Sequence, residues 1–333
     1  MSTHLPVAFA VGLNLLVSAM PATADDEEVT PDQVVMALEE TFGVTPGQRR
    51  NHIKGTCASG EFIGAGDATK LSRSALFSGK PISVVARFSL PGGNPKVPDT
   101  VKNVRGMALE FRISDNEVQH MTMLNVPIFG AARPKTFLDL IVAIRPDPQT
   151  KKPDPERVKD FKASHPDSRG LSEYLGAHNP PPSYANAAFY GIHTFKFIDR
   201  DKHVTPVRWR FVPQAGEKML SDEELNASPH DFLEQRLIEA TQSGPVRWDM
   251  MVTIGQPGDP EDDPTQYWPK DRKEIKAGTL TISSASPQKG AACEKINFDP
   301  MVMADGIEPT DDPILQFRSP AYAVSYSKRL NGE

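Results

Sequence analysis

The fold prediction starts from two stretches of sequence, ISVVARFSL at residues 82–90 and GMALEFRI at residues 106–113. Apolar and β-branched side chains dominate both runs, and Gly, Pro and Asn separate them, as is typical of β-strands. Six further runs of this kind lie at residues 60–64, 118–123, 188–198, 205–212, 248–254 and 279–283. Two clusters of four strands predict an α+β fold, an antiparallel eight-stranded β-barrel with surrounding helices.

Helical patterns lie outside these strands. Thr30 and Pro31 suit the N-cap and the first turn of a short helix that ends at Phe42, before Gly43. Residues 221–243 contain a second helical region, and residues 151–176 are helical or irregular. The helices therefore fall before the first strand cluster, between the two clusters and within the second cluster.

The composition indicates one soluble globular domain. Hydrophobic residues make up 38% of the 333 residues and charged residues 24%, which excludes wholesale disorder. A formal net charge of −6 gives no basic face for nucleic acid, so no nucleic-acid partner is expected. Because no internal repeat or linker is visible, residues 25–333 are predicted to form a single domain.

Residues 1–24 are predicted to be a signal peptide. An apolar run from Val7 to Met20 precedes Ala22-Thr23-Ala24, which fits a cleavage site, and acidic residues follow. The alternative is an uncleaved membrane anchor, but the run is shorter than the ~20 residues that a span needs. We therefore expect a periplasmic protein with no membrane association after cleavage.

Two cysteines occur, Cys57 and Cys293. In an oxidising compartment they would pair as a disulfide. The alternative is two unrelated buried thiols. The sequence leaves both interpretations open.

Three local signals bear on chemistry, and each also has a purely structural interpretation. His52 stands at a strand start, where a lone histidine is more often structural than catalytic. Arg87 lies within a strand and needs an anion partner, which an ordinary salt bridge would also supply. Arg318 and Tyr322 share a face if their segment is helical, and an arginine beside a phenol favours the phenolate.

Together these segments resemble the haem catalase superfamily, and most closely its short catalase-related peroxidases. The segments that show the resemblance keep their order along the chain: the stretch around His52, Arg87-Phe88-Ser89, Asn125-Val126-Pro127, Tyr190 to Lys196, and Gly306 to Tyr322. The resemblance implies a catalase-like haem-binding core from residue 25 to residue 333. It also implies haem b (iron protoporphyrin IX) as the cofactor and hydrogen peroxide as a substrate.

The resemblance implies specific roles at the iron and above it. Tyr322 would be the axial ligand, since tyrosine is the residue by which catalases hold haem iron. Arg318 would keep its phenolate ionised. His52 would act as general acid and base on peroxide, Ser89 would orient His52, and Asn125 would orient the peroxide.

The remaining implied residues would bind the cofactor. Arg49, Arg87 and Arg329 would pair with the haem propionates, because a guanidinium fork matches a carboxylate. Phe137 would stack on a pyrrole ring. Near Arg318, His193 and Asp312 would support the iron ligand.

The sequence departs from full catalases at both ends. Fewer than thirty mature residues precede His52, and the chain stops eleven residues after Tyr322. We therefore expect a monomer or dimer, no nucleotide-binding region and a more open haem. The predicted function is a haem peroxidase that reduces hydrogen peroxide, and organic peroxides, with a small organic electron donor and limited catalase activity. The alternatives are a true catalase and a non-catalytic haem-binding barrel.

Overall fold

The computed structural model describes Met1 and residues 28–333. Apart from Met1, the predicted signal peptide of residues 1–24 lies outside this part of the chain. The strands in it are β1 (Gly55–Gly64), β2 (Pro81–Ser89), β3 (Gly106–Ser114), β4 (Glu117–Leu124), β5 (Phe189–Ile198), β6 (Val204–Pro213), β7 (Val246–Ile254), β8 (Glu274–Pro287) and β9 (Ile307–Pro309). The α-helices are α1 (Pro31–Phe42), α2 (Pro134–Ala143), α3 (Pro155–Ser164), α4 (Arg169–Ala177), α5 (Asp222–Ala227), α6 (Leu233–Ser243), α7 (Ala292–Lys295) and α8 (Pro313–Leu330).

The first eight strands form a closed antiparallel barrel, as the sequence predicts. Their order is β4-β3-β2-β1-β8-β7-β6-β5, and the pair Leu124 and Tyr190 joins β4 to β5. Strand β9 pairs with β5 beside the barrel and was not predicted, because three residues show no alternation. Strand β8 extends beyond its predicted residues 279–283, since its first part, residues 274–282, pairs with β7 and its last part, residues 278–287, pairs with β1.

The inside of the barrel is filled by aromatic and aliphatic side chains. Phe62 packs edge-on against Phe111 with ring centroids 5.3 Å apart, and Phe88 lies 5.8 Å from Trp248. All four are fully buried. Because side chains alternate along a strand, the neighbours of Phe88 in β2 face the outside of the barrel. A ligand therefore finds room on the outer surface and not within the barrel.

Helices α1, α2 and α8 pack together outside the barrel. Thr30 caps α1 as predicted, with its hydroxyl accepting from the backbone N–H of Gln33. Leu38 and Val34 of α1 pack with Ile141 of α2 in a small apolar cluster. Within residues 28–333, none of the helices has the length and apolar character needed to cross a membrane.

Cys57 and Cys293 form a disulfide, which decides between the two alternatives that the sequence left open. The bond joins β1 to α7 across 236 residues of sequence, and both cysteines are buried. It therefore ties the segment that follows β8 to the wall of the barrel.

Gly60 marks a tight point in the barrel wall, where the pairing of β1 with β8 is irregular. A Cβ atom at this position would lie 1.9 Å from the backbone oxygen of Thr281. We expect Gly60→Ala to lower the free energy of unfolding by about 1–3 kcal/mol or more, because the two strands must separate. Chemical denaturation measures the change.

Gly66→Ala is the matched control, since nothing lies within 4 Å of the added Cβ there. It should leave the unfolding midpoint nearly unchanged. Equal stability of the two variants would show that β1 and β8 do not approach each other as the structure has them.

Candidate active site

A cavity lies between the outer surface of the barrel and helices α1, α2 and α8. Val34, Val35 and Leu38 of α1 line one side with Phe137 of α2. The polar residues that line it are Arg49, Arg50, Asn51, His52, Arg87, Ser89, Thr122, His193, Asn297, Arg318, Tyr322 and Ser325. The cavity thus brings together residues from the two ends of the chain.

His52 is held at one end of this cavity in an unusual backbone conformation. Its φ is 54°, in the left-handed region that a bulky residue rarely adopts. The side-chain oxygen of Asn51 accepts from the N–H groups of His52, at 2.9 Å, and Gly92, at 2.6 Å, which stabilises the turn. Strained residues of this kind concentrate at functional sites, so the conformation supports a role for His52.

The imidazole of His52 is oriented by Ser89 and is neutral. Its Nδ1 lies 2.9 Å from the Ser89 hydroxyl, and β2 presents Ser89 on the outer face of the barrel. Burial, with the positive charges of Arg87 and Arg318, lowers the pKa of His52 to about 3. Among the described residues Nε2 has no hydrogen-bond partner. At neutral pH this nitrogen is therefore available as a base.

A chain of four hydrogen-bonded side chains leads to the phenol of Tyr322 at another wall of the cavity. The Asp312 carboxylate contacts Nδ1 of His193 at 2.6 Å, and Nε2 of His193 lies 3.1 Å from Nη1 of Arg318. Nη2 of Arg318 donates to the Tyr322 oxygen at 2.7 Å. Arg318 and Tyr322 are four residues apart in α8, as the sequence predicts.

Each member of this chain is fixed by its own element. Asp312 is the N-cap of α8 and accepts from the backbone N–H groups of Ile314 and Leu315. The pairing of β5 with β6 is interrupted between Gly191 and Phe195, which places His193 in an irregular part of the strand. One carboxylate thus begins the helix and orients the imidazole.

His193 is also neutral. Burial lowers its pKa, and this effect outweighs the opposing effect of the Asp312 carboxylate. A neutral ring that donates from Nδ1 to Asp312 has Nε2 free to accept from Arg318. The arrangement holds the guanidinium of Arg318 between His193 and the phenol oxygen of Tyr322.

Arg49, Arg87 and Arg329 form a cluster of positive charge that lacks carboxylate partners within residues 28–333. Arg49 donates to the backbone oxygens of residues 293, 294 and 296, and Arg329 to those of residues 294 and 295. Arg87 donates to the side-chain oxygen of Gln288 and to the backbone oxygens of residues 52 and 53. The described carboxylates thus make no direct ion pair with the three groups, although Glu294 lies near enough to favour the charged forms of Arg49 and Arg329.

The cluster has the electrostatics of an anion site. Burial, with the charges of Arg87 and Arg329, lowers the pKa of Arg49 to about 8. Burial also lowers the pKa of Arg87 to about 10. Buried guanidinium groups without anions are costly, and a ligand with carboxylates would relieve that cost.

The residues present fit a haem group. The arginine cluster suits two propionates, the apolar side chains of α1 and α2 suit a flat macrocycle, and Tyr322 supplies an oxygen donor for iron. Phe137 lines the cavity as required for stacking, and its ring lies 5.8 Å from that of Phe129. Arg329 lies outside the cavity lining and reaches the cluster through the backbone that also binds Arg49.

Asn125 is placed differently from the other predicted residues. Its side-chain oxygen accepts from the backbone N–H of Arg105 at 2.5 Å, and Asn125 does not line the cavity. Its neighbour Leu124 does line it. The role of Asn125 in orienting peroxide stays a prediction, because it requires the side chain to turn toward the cavity.

Sequence reasoning did not identify Thr122, Gln288 or the three residues of α1 as parts of this site. Thr122 accepts from Nη2 of Arg318 at 2.6 Å across 196 residues of sequence, and Gln288 accepts from Arg87 across 201 residues. No local pattern distinguishes such a threonine or glutamine. The apolar face of α1 is visible in the sequence, but the cavity that it covers is not.

Comparisons with known proteins identify the family of this chain. Residues 45–333 match the family model described as Catalase. A catalase-related peroxidase from Synechococcus elongatus is 59% identical over 91% of this chain and 90% of its own length. A catalase-related peroxidase from Mycolicibacterium paratuberculosis is 35% identical over 90% of this chain and 95% of its own length.

The fold agrees with a solved structure as well. Catalase A from Saccharomyces cerevisiae superposes with a TM-score of 0.79 and 26% sequence identity, and the match covers 86% of this chain and 62% of that chain. The family model covers most of the present chain, and the overall fold is shared with that solved structure. The chain therefore belongs to the catalase family.

Proposed function

We propose that this chain is a haem b peroxidase that reduces hydrogen peroxide, and organic peroxides, with electrons from a small organic donor. As a member of the catalase family it is a haem-dependent oxidoreductase that acts on peroxide. One observation most directly supports the reduction of peroxide at a haem in this cavity. A neutral His52 oriented by Ser89 and a Tyr322 phenol held by Arg318 line the same cavity.

Tyr322 is the residue that would hold the iron. When bound, haem iron supplies the redox chemistry by which peroxide is reduced. Nη2 of Arg318 donates to the phenol oxygen and would hold it in place as the iron ligand, the role that tyrosine has in catalases. The buried contact between His193 and Asp312 fixes Arg318 in that position.

His52 would move the proton. Its Nε2 accepts a proton from one peroxide oxygen and returns it to the other, which leaves as water. Ser89 holds the ring through Nδ1 in the orientation that this transfer needs. In balance, each hydrogen peroxide takes up two protons and two electrons and yields two waters, and the electrons come from the donor.

Arg49, Arg87 and Arg329 would hold the two propionate carboxylates of the proposed haem b. Phe137 would stack on the macrocycle from α2. Asn125 would orient peroxide after its side chain turns from Arg105. Arg49, Arg87 and Phe137 line the cavity, whereas Arg329 reaches the cluster through the backbone that also binds Arg49.

We also propose a periplasmic location after signal cleavage. The disulfide between Cys57 and Cys293 supports an oxidising compartment, since such bonds are rare in the cytosol. A monomer or dimer is the assembly that we propose. Cell fractionation tests the compartment, and gel filtration of the recovered protein tests the assembly.

Peroxidase turnover and catalase turnover differ in the source of the two electrons: an organic donor supplies them in the first, and a second hydrogen peroxide, which is oxidised to oxygen, supplies them in the second. The relatives at 59% and 35% identity are named catalase-related peroxidases, which favours the peroxidase. Oxygen evolution and dye oxidation measured on one preparation separate the two functions. Oxygen evolution that dominates at every donor concentration would favour the catalase instead.

Replacing His52 tests the proton transfer. We expect His52→Ala to slow peroxide consumption by about 10²–10⁴-fold at equal haem content, because the general base is lost. His203→Ala is the matched control, since His203 is exposed in the turn between β5 and β6. The control should keep the wild-type rate, and a His52 variant as fast as the control would refute the mechanism.

The pH dependence tests the state of His52. Its pKa of about 3 means that Nε2 stays unprotonated at every pH well above that value. The rate of peroxide consumption should therefore show no midpoint near 6.5 and should fall only as the pH approaches about 3. Stopped-flow measurements after a brief pH jump avoid acid unfolding. A midpoint near 6.5 would show a solvated histidine and contradict the geometry.

Replacing Tyr322 tests the iron ligand. Tyr322→Phe removes the phenol oxygen, so we expect a changed visible absorption spectrum of the haem-loaded protein. Tyr267→Phe makes the same chemical change at an exposed loop residue and should leave the spectrum unaltered. Identical spectra for both variants would exclude Tyr322 as the ligand.

A further inference from the structure

One short segment contacts all three arginines of the cluster. Residues 288–296 follow β8, and we refer to them as the 288–296 segment. Gln288 accepts from Arg87, and backbone oxygens of residues 293–296 accept from Arg49 and Arg329. The arginines themselves come from the loop before β1, from β2 and from the end of α8. The segment is therefore the common support of the cluster.

The kind of contact matters for binding. Backbone oxygens and an amide oxygen orient a guanidinium without neutralising its charge, whereas a carboxylate would neutralise it. Within the described residues, Nη1 of Arg49 and Nη1 of Arg87 have no protein partner. The contacts with the 288–296 segment thus leave the positive charge of Arg49 and Arg87, and their Nη1 donor groups, free to bind an anionic ligand.

The disulfide fixes this support to the barrel. Cys293 lies within the segment, and Cys57 is the cross-strand partner of Arg87 in the pairing of β1 with β2. Around the bond, Val85 and Phe298 form a small buried cluster, and Phe298 also lines the cavity. The covalent bond is therefore next to the arginines whose support it holds.

We propose that the Cys57–Cys293 disulfide is a positioning element for haem binding. It holds the 288–296 segment against the barrel wall, and the segment in turn sets the geometry of Arg49, Arg87 and Arg329. This inference rests on the proposed role of the three arginines as partners of the propionates. Without the bond the cluster keeps its charges but loses its fixed geometry.

Haem release from the loaded protein to excess apomyoglobin tests the inference with a readout other than activity. We expect Cys57→Ala combined with Cys293→Ala to release haem about tenfold faster, which corresponds to ~1.4 kcal/mol. Wild-type protein treated with a thiol reductant should show the same increase. Because both cysteines are buried, alanine avoids placing unpaired hydroxyls in their cluster.

A control separates positioning from loss of stability. Met250 is fully buried in β7, away from the 288–296 segment, and Met250→Ala should lower the free energy of unfolding by about 2–5 kcal/mol. Removing the disulfide should cost a similar ~2–5 kcal/mol. Well below both melting temperatures, we expect faster haem release only in the variant without the disulfide. Equal release rates in the two variants would overturn the inference.

Arginine variants distinguish this inference from the proposed function. Arg49→Gln with Arg329→Gln should release haem faster, and removing the disulfide in that background should add less than twofold. If the arginine variant releases haem faster but disulfide loss has no effect on the wild type, the positioning role is wrong and the proposed function stands. If neither change alters release, both the positioning role and the propionate assignment are wrong.

Discussion

The carboxylate of Asp312 is the constraint on which the site depends. One oxygen accepts the first N–H groups of α8, and the other contacts Nδ1 of His193. The same buried group therefore sets where the helix begins and which way the imidazole faces. Arg318 then has one acceptor in His193 and another in Tyr322, one helical turn away. The phenol is positioned by a helix register and not by a flexible loop.

The filled barrel explains where the chemistry takes place. Its interior has aromatic packing such as that of Phe88 on Trp248, so the strands serve as a rigid wall. Outward residues of β2 and its neighbours face a cavity that α1, α2 and α8 complete. Within it a neutral His52 and guanidinium groups without direct ion pairs coexist, because burial disfavours one more positive charge near Arg87. The cavity thus places a neutral base beside an anion site.

Local pattern and chemistry explain what the sequence could predict. Alternating and apolar runs predict the eight barrel strands. The four-residue spacing of Arg318 and Tyr322 predicts their contact if the segment is helical, and α8 meets that condition. Cys57 and Cys293 were left open, because pairing across 236 residues depends on the tertiary fold. The contacts of Thr122 and Gln288 were missed for the same reason. The division of the chain into a signal peptide and one domain stays a prediction.

A crystal structure of the haem-loaded protein tests the central claim most directly. The account predicts that the Tyr322 oxygen is bonded to iron on one face of the porphyrin and that His52 lies over the opposite face. The propionates should contact Arg49, Arg87 and Arg329. Iron bound by any residue other than Tyr322, or His52 and Tyr322 on the same face, would contradict the account.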